Sequence, residues 1–406
     1  MAPEDVSLAP SRSNYPRNEG ESGIAFRQVN RGGDDKVTRE KPVRCIHPST
    51  GEMREDRFDA IAGLLSQACE SKQFAGASWG ITRRGEMVSV GSVGSFDPAA
   101  AESVRPDTLF DAASLTKPVA TAVSLLFLLD RGEVVLSDPV ARFMERAGRP
   151  WKNVTLLDLL THTSGLPPYV EPDGPFSSRD SMLEGILALP LSSRPGERYV
   201  YSCLGYILVE RIIETVTGET LDSFAGRTIF QPLGMANTTF RPGTALLPRV
   251  ASGGYCPRRQ KLVYGEPHDP LAWRAGGVSG NAGLFSCPTD LCRFGAAVLA
   301  SAALAEDGPL SPAGARLMLS SQISPDVGGQ TIGFFAHPNP MLPRGDLLPA
   351  KTVGHTGFTG TSLVLVPGLD LVVALMANSL VYTQDKTEFF RSRRRFHNLV
   401  AAAIVT

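Results

Sequence analysis

The chain is organised around the stretch Asp111-Ala112-Ala113-Ser114-Leu115-Thr116-Lys117, which runs into a long apolar segment ending near Asp130. Proline is tolerated in the first turn of a helix, so Pro118 indicates a helix that begins a few residues upstream. Ser114 and Lys117 would then lie one turn apart on the same face. A serine hydroxyl needs a base within hydrogen-bond reach to act as a nucleophile, and a lysine whose neutral form is accessible can be that base. The stretch therefore predicts a reactive Ser–Lys pair. For this motif taken alone, a capping serine beside a solvated lysine is the alternative.

The bulk composition excludes several classes of protein. The 406 residues suffice for one large or two modest domains, and 42% apolar with 20% charged residues is an ordinary globular composition. A formal net charge of −1 gives no attraction to nucleic acid or to an anionic membrane surface. The longest apolar run, residues 119–129, is too short to span a bilayer. We therefore expect neither nucleic acid nor a membrane as a partner, and the oligomeric state stays open.

The cysteines and the first residues bear on cofactors and location. Six cysteines lie far apart without a C-x-x-C pair, which favours ordinary thiols over a disulfide framework or a zinc site. Residues 1–20 lack the apolar segment of a secretory signal. We expect a cytoplasmic protein without metal or cofactor, or a periplasmic one if a leader has been removed. Residues 1–50 lack apolar periodicity and predict a flexible tail.

The order of predicted elements indicates the fold class. An amphipathic helix over 56–72 precedes a β-hairpin formed by 75–81 and 87–93. Strand-like runs return late in the chain, before a closing helix over 385–405, at residues 331–336, 352–355, 361–366 and 371–377. This order predicts an α/β (α+β) fold, with one antiparallel sheet built from both chain ends and flanked by helices. The α/β part is expected over about 51–130 and 290–406, with a mostly helical insertion over about 131–289 and a site in the cleft between them.

Three further features can complete such a site. Tyr201 precedes a predicted helix and can exchange protons with a hydroxyl or a leaving group if neighbouring cations lower its pKa; a core or rim tyrosine is the alternative. His355-Thr356-Gly357 lies at a strand edge, where backbone N–H groups are free and glycine permits close approach. The N–H groups of Phe358 and Ser114 can then form an oxyanion hole. The Gly-rich loop 276–286 is expected to form a wall of the cleft.

The order of these motifs resembles that of the serine β-lactamase-related family. The matching segments are Ser114-Leu-Thr-Lys117, residues 159–166, Tyr201-Ser-Cys203, residues 276–286 and His355-Thr-Gly357. Over residues 55–405 the chain is similar to class C β-lactamases, D-alanyl-D-alanine carboxypeptidase-type penicillin-binding proteins and family VIII-type esterases. The resemblance implies a β-lactamase/transpeptidase-like fold and a serine that the substrate acylates. It also implies that Ser114 is the nucleophile, Lys117 its base and Tyr201 the proton shuttle, and that Phe358 and Ser114 form the oxyanion hole.

Two positions depart from the family pattern. The Y-x-N motif ends here in Cys203, so the side-chain amide that contacts the acylamide group of a β-lactam is missing. The K-T-G lysine, which helps to hold a substrate carboxylate, is His355, a residue mostly neutral near pH 7. Both departures favour the esterase-like members, so we expect a serine hydrolase acting on a small ester or amide substrate, foremost a carboxylesterase. The alternatives are D-alanyl-D-alanine carboxypeptidase-like activity, weak β-lactamase activity, transesterase activity, and a non-catalytic binding or scaffold protein on the same fold.

Three other features are given no catalytic role. Residues 76–80 match the G-x-S-x-G elbow, which must lie at a strand-to-helix turn, but they fall inside a predicted strand. His268-Asp269 invites a Ser-His-Asp interpretation, but Lys117 and Tyr201 already fill the base role, so the pair is expected to structure its loop. His162, after a capped helix, is expected to be a local hydrogen-bonding residue.

Overall fold

A seven-stranded antiparallel sheet lies at the centre of the protein; the computed structural model describes residues 43–45, 53–304, 308–382 and 385–404. The strands, in chain order, are β1 (Val43–Cys45), β2 (Gly76–Arg83), β3 (Glu86–Gly94), β4 (Phe110–Asp111), β5 (Thr239–Phe240), β6 (Tyr255–Cys256), β7 (Lys261–Leu262), β8 (Leu284–Ser286), β9 (Phe335–Ala336), β10 (Val353–Thr356), β11 (Ser362–Val366) and β12 (Leu371–Ala377). The spatial order of the large sheet is β1-β3-β2-β12-β11-β10-β9, so β12 pairs with β2. The predicted sheet built from both chain ends is confirmed.

The α-helices are α1 (Glu55–Glu70), α2 (Val123–Asp130), α3 (Leu156–Leu160), α4 (Arg179–Ala188), α5 (Cys203–Thr217), α6 (Leu221–Ala225), α7 (Pro270–Arg274), α8 (Pro288–Ala302), α9 (Pro312–Leu319) and α10 (Thr387–Ala403). Of these, α1 and α10 cover one face of the large sheet and α8 covers the other. Alternate residues of the central strands enter different cores: Val364 and Val373 pack in the core that α1 and α10 share, whereas Leu365 and Val372 pack in the core that contains α8. Because both faces are covered, these strands are apolar along their whole length.

The segment that carries the predicted Ser–Lys pair is helical throughout but changes its pitch. A 3₁₀ turn over Ala113–Leu115 leads into a π-helical stretch, Lys117–Ala122, which continues as α2. Stretches of π-helix occur frequently at functional sites. By length and composition alone, Ala113–Asp130 could cross a membrane, but 78% of it is buried inside the protein, as in the core helix of a folded domain.

A small second sheet brings the Gly-rich loop to this helix. β8 pairs with β4 through Asp111 and Phe285, and with β5 through Thr239 and Phe285. The residue that follows β4 donates its N–H to the loop, since Ala112 N bonds the Leu284 carbonyl at 2.8 Å. The sequence did not predict this sheet, because strands of two or three residues show no periodicity.

Two predictions about individual elements need correction. The strand predicted over 331–336 is limited to β9, because the Thr331 N–H bonds the Phe334 carbonyl at 2.9 Å and closes a turn. Within the tail predicted over 1–50, Val43–Cys45 is an edge strand paired with β3. The rest of that tail lies outside the described residues. The division into an α/β part and a helical insertion over about 131–289 stays a prediction.

Candidate active site

Ser114 and Lys117 lie together at the start of the buried helix. Lys117 Nζ donates to Ser114 Oγ at 3.1 Å and to the Asn281 carbonyl at 2.9 Å, and lies 3.5 Å from Cys203 Sγ. The Lys117 side chain is fully buried. These contacts are a hydroxyl, a carbonyl and a thiol, so the amine is aimed at the serine oxygen as a general base must be.

The backbone before Ser114 is held in an unusual conformation. Ala113 has a φ of +48°, a region that residues other than glycine rarely adopt. Its N–H donates to Asp111 Oδ1 at 2.9 Å, and its carbonyl accepts from Thr116 Oγ1 at 2.7 Å. Thr116 Oγ1 in turn accepts from the Leu284 N–H at 3.1 Å. Side-chain bonds from both sides therefore fix the turn that presents Ser114.

Asp111 joins this turn to the loop that precedes α7. Its second oxygen, Oδ2, accepts from the His268 N–H at 2.7 Å. Burial raises the pKa of Asp111 to about 6, and the hydrogen bonds from His268 and Ala113 oppose that rise. No sequence motif assigned Asp111 a role, although it stands three residues before the serine.

Residues 76–80 and the pair His268-Asp269, which were given no catalytic role, lie in structural positions. Ser78 lies in the middle of β2 and is fully buried, so residues 76–80 are not a nucleophile elbow. His268 Nε2 bonds the Tyr255 carbonyl at 3.2 Å. Asp269 caps α7 by accepting from the Ala272 N–H at 2.8 Å. His268 and Asp269 therefore structure the loop rather than form a triad.

Tyr201 lies between Lys117 and His162. The centre of its ring is 5.1 Å from Lys117 Nζ and 4.5 Å from the His162 ring centre. Burial raises the pKa of Tyr201 well above its ordinary value, the Cys203 thiol adds to the rise, and a hydrogen-bonding interaction with Ser114 opposes it. The condition that neighbouring cations lower this pKa is not met, because desolvation of the phenolate dominates. Tyr201 is therefore a neutral phenol in the folded protein.

His162 is a site residue whose importance the sequence motifs did not reveal. It is buried with a φ of +60°, and its Nδ1 accepts from the Ser202 N–H at 3.1 Å. The ring proton therefore lies on Nε2. Burial and then the Lys117 charge hold the pKa of His162 well below its ordinary value. A neutral imidazole thus backs the Tyr201 ring, and the only sequence signal was its place in the segment 159–166.

His355 faces the cleft from β10 as an uncharged ring. It stacks on Phe335 at 4.2 Å between ring centres, and its centre is 5.9 Å from that of Tyr201. Burial, followed by the Lys117 charge, lowers the pKa of His355 to about 3. Its Nδ1 bonds the carbonyl of Thr356, the half-buried last residue of β10, at 2.8 Å. His355 thus supplies no positive charge to the cleft.

The turn after β10 lies against the backbone that leads to Ser114. A Cβ on Gly357 would lie 2.5 Å from the Ala112 carbonyl oxygen, so only glycine fits. Thr359 Oγ1 donates to the Asp111 carbonyl at 2.7 Å. No acceptor for the Phe358 N–H occurs within the described part of the chain. An oxyanion hole requires a free N–H of this kind, and the assignment of that role to Phe358 stays a prediction.

Lys386, directly before α10, contacts both the backbone carbonyl and the ring of Phe358. Its ammonium donates to the Phe358 carbonyl and lies 3.7 Å from the centre of the Phe358 ring. Burial, followed by the nearby Arg393 charge, lowers the pKa of Lys386 to about 7. Sequence reasoning missed this residue because its partner lies 28 positions away.

Comparisons with known proteins agree with the geometry. The structure is similar to a penicillin-binding protein homologue from Caulobacter crescentus (TM-score 0.70, 20% identity, 87% of this chain and 99% of that one) and to EstCE1, a hydrolase with promiscuous acyltransferase activity (TM-score 0.69, 18% identity, 84% and 98%). The fold is thus that of β-lactamases and transpeptidases.

The sequence matches identify the family itself. Residues 61–395 match the model of the Beta-lactamase family. A protein of Escherichia coli strain K12 named as a candidate D-alanyl-D-alanine carboxypeptidase is 31% identical over 301 residues, 67% of this chain and 69% of its own. The chain belongs to the Beta-lactamase family, whose members are serine hydrolases. The resemblance seen in the motifs is confirmed.

Proposed function

We propose that this protein is a carboxylesterase that cleaves small esters through an acyl-enzyme on Ser114. The observation that carries the proposal is the buried Lys117 amine, 3.1 Å from Ser114 Oγ. Lys117 accepts the hydroxyl proton as Oγ attacks the ester carbonyl, and the N–H groups of Ser114 and Phe358 stabilise the oxyanion. Tyr201 relays the proton to the departing alkoxide. Water then attacks the acyl-enzyme by the reverse proton path and releases the acid.

The preference for esters rests on the two departures from the family pattern. His355 is neutral, with a pKa of about 3, so this position offers no cation to a substrate carboxylate. Cys203, 3.5 Å from Lys117 Nζ, has no amide with which to bind an acylamino group. An uncharged ester needs neither contact.

A D-amino-acid-directed carboxypeptidase is the second candidate. The name of the Escherichia coli relative supports it. In that case the same Ser114 acyl-enzyme forms from a peptide, and the carboxylate must be held by groups other than His355. Weak β-lactamase activity belongs with this candidate because the attacked bond is again an amide.

The test compares four substrates on the wild type and Ser114→Ala: p-nitrophenyl acetate, p-nitrophenyl butyrate, nitrocefin and a peptide ending in D-alanyl-D-alanine. We expect ester turnover far above the other two activities and its loss in Ser114→Ala. Dominant peptide or nitrocefin turnover would replace the esterase proposal by the second candidate. An added alcohol that captures the acyl group would reveal transesterase activity, which the promiscuous acyltransferase activity of EstCE1 supports.

A fluorophosphonate that labels Ser114 tests whether the protein is an enzyme at all. Absence of labelling in a folded wild-type sample would favour a non-catalytic binding protein.

A further inference from the structure

The Gly-rich loop is anchored to α5 by a buried carboxylate. The Gly280 N–H donates to Glu210 Oε2 at 2.8 Å, and the Gly280 carbonyl accepts from Thr121 Oγ1 at 2.7 Å. A Cβ on Gly280 would lie 2.0 Å from the Tyr206 carbonyl oxygen, so the loop is pressed against α5. Both polar groups of Gly280 are therefore bound by neighbouring helices.

The next residue of this loop holds the lysine. The Asn281 carbonyl accepts from Lys117 Nζ at 2.9 Å, while the same amine donates to Ser114 Oγ at 3.1 Å. Thr121, the other anchor of Gly280, lies one turn beyond Lys117 on the same helix. Asn281 is thus placed by the anchors of Gly280 and by its own side chain, which accepts from Ser279 Oγ at 2.8 Å and donates to Asp269 Oδ1 at 3.2 Å.

An ion pair with Arg179 of α4 offsets the free-energy cost of burying the Glu210 carboxylate. The Glu210 side chain is 4% exposed, and its Oε1 accepts from Arg179 Nη2 at 2.8 Å. A buried carboxylate without such a partner would be costly. One carboxylate oxygen of Glu210 therefore pairs with Arg179, and the other accepts the hydrogen bond from Gly280.

Glu214 provides a comparison within the same network. It also pairs with Arg179, and its side chain is 7% exposed. Its bond to the backbone, from the Leu221 N–H at 3.3 Å, leads to α6 and not to the Gly-rich loop. Glu210 and Glu214 are thus alike in burial and share Arg179, although Glu214 also lies 3.6 Å from Arg211, and they differ in the backbone that they hold.

We propose that Glu210 is a positioning residue for Lys117, which it serves by fixing Gly280 and hence the Asn281 carbonyl that directs the amine onto Ser114. The inference rests on the proposed function, since it concerns the same nucleophile. It assigns Glu210 no contact with the substrate.

The test measures the rate constant with which a fluorophosphonate phosphonylates Ser114, the KM for p-nitrophenyl butyrate and the free energy of unfolding. We expect Glu210→Met to slow phosphonylation about 10- to 100-fold, the range that a misplaced reacting group causes, with KM nearly unchanged. Glu210→Gln, which keeps an acceptor for Gly280, should recover most of the rate. Glu214→Met should lose similar stability but react within about threefold of wild type.

The outcomes separate this inference from the proposed function. Equal rate constants of phosphonylation for wild type and Glu210→Met, or equal losses in the Glu210→Met and Glu214→Met variants, would overturn the positioning role. If Glu210→Met does not fold, Glu210→Met combined with Arg179→Met also removes the cation that pairs with Glu210, and a wild-type rate in that double variant would overturn the role equally. A wild type that is not labelled would overturn the proposed function, and the inference with it.

Discussion

Replacing Lys386 by methionine is expected to stabilise the folded protein while it slows the reaction. Burial and then the Arg393 charge lower the pKa of Lys386 from 10.5 to about 7. That difference corresponds to about 5 kcal/mol of unfavourable free energy for the charged form in the fold. Methionine keeps the aliphatic volume without the charge. Since the bond to the Phe358 carbonyl is also lost, we expect a net gain of about 1–3 kcal/mol at pH 7.

The pH dependence gives this prediction its sign. The folded pKa lies below the unfolded one, so between about pH 7 and pH 10.5 the unfolded chain binds the additional proton. The free energy of unfolding of the wild type therefore rises with pH across this window, because the cost of the charge on buried Lys386 becomes smaller. The advantage of Lys386→Met should accordingly be large at pH 7 and smaller at pH 9.5. Urea unfolding at both pH values measures it.

Activity should change in the opposite direction. Without the bond from Lys386, the turn that carries the Phe358 N–H is less firmly held, and we expect kcat for p-nitrophenyl butyrate to fall about tenfold. Lys386→Arg is the matched control, because it keeps a cationic donor and should retain more activity without the gain in stability. A methionine variant that is less stable at pH 7, or equally stabilised at pH 7 and 9.5, would refute the reasoning.

Three further substitutions test the site. Lys117→Met should lower kcat/KM for p-nitrophenyl acetate about 10²- to 10⁴-fold by removing the base, and near wild-type turnover would contradict that role. Cys203→Asn should raise nitrocefin turnover relative to ester turnover about tenfold by supplying an amide; an unchanged ratio would count against it. Burial raises the pKa of Asp111 from 3.8 to about 6, so the folded state binds the additional proton in this window and wild-type stability falls as the pH rises. In Asp111→Asn, the decrease of the free energy of unfolding between pH 4 and pH 6.5, measured by urea unfolding, should be smaller than in the wild type by up to about 3 kcal/mol. The same pH dependence in both proteins would contradict this prediction.

The parts of the site that the sequence predicted are those that local spacing determines. Ser114 and Lys117 are three residues apart, so helix geometry alone brings them together. The strand-like runs near both chain ends were likewise enough to predict one antiparallel sheet covered by helices. Local patterns of this kind do not depend on how distant segments meet.

The residues that the sequence did not predict act across long separations. The Glu210 carboxylate accepts from the Gly280 N–H, which lies seventy positions away in the sequence. A bond between a side chain and a distant backbone group leaves no pattern in the sequence. The direction of the Tyr201 pKa shift was open in the sequence for a related reason, since burial by distant segments decides it. His162 was visible as a motif residue, but its place behind Tyr201 depends on tertiary packing.

The pairing of β12 with β2 has a consequence for biosynthesis. Asn378 Oδ1 accepts from the Ala75 N–H across 303 positions of the chain, and β12 separates β2 from β11 in the sheet. During synthesis one edge of β2 therefore stays unpaired until nearly the whole chain has left the ribosome. Contacts of such high sequence separation fold slowly and expose that edge to aggregation. A chain released before β12 would contain β10 and β11 but lack the strand that joins them to β2.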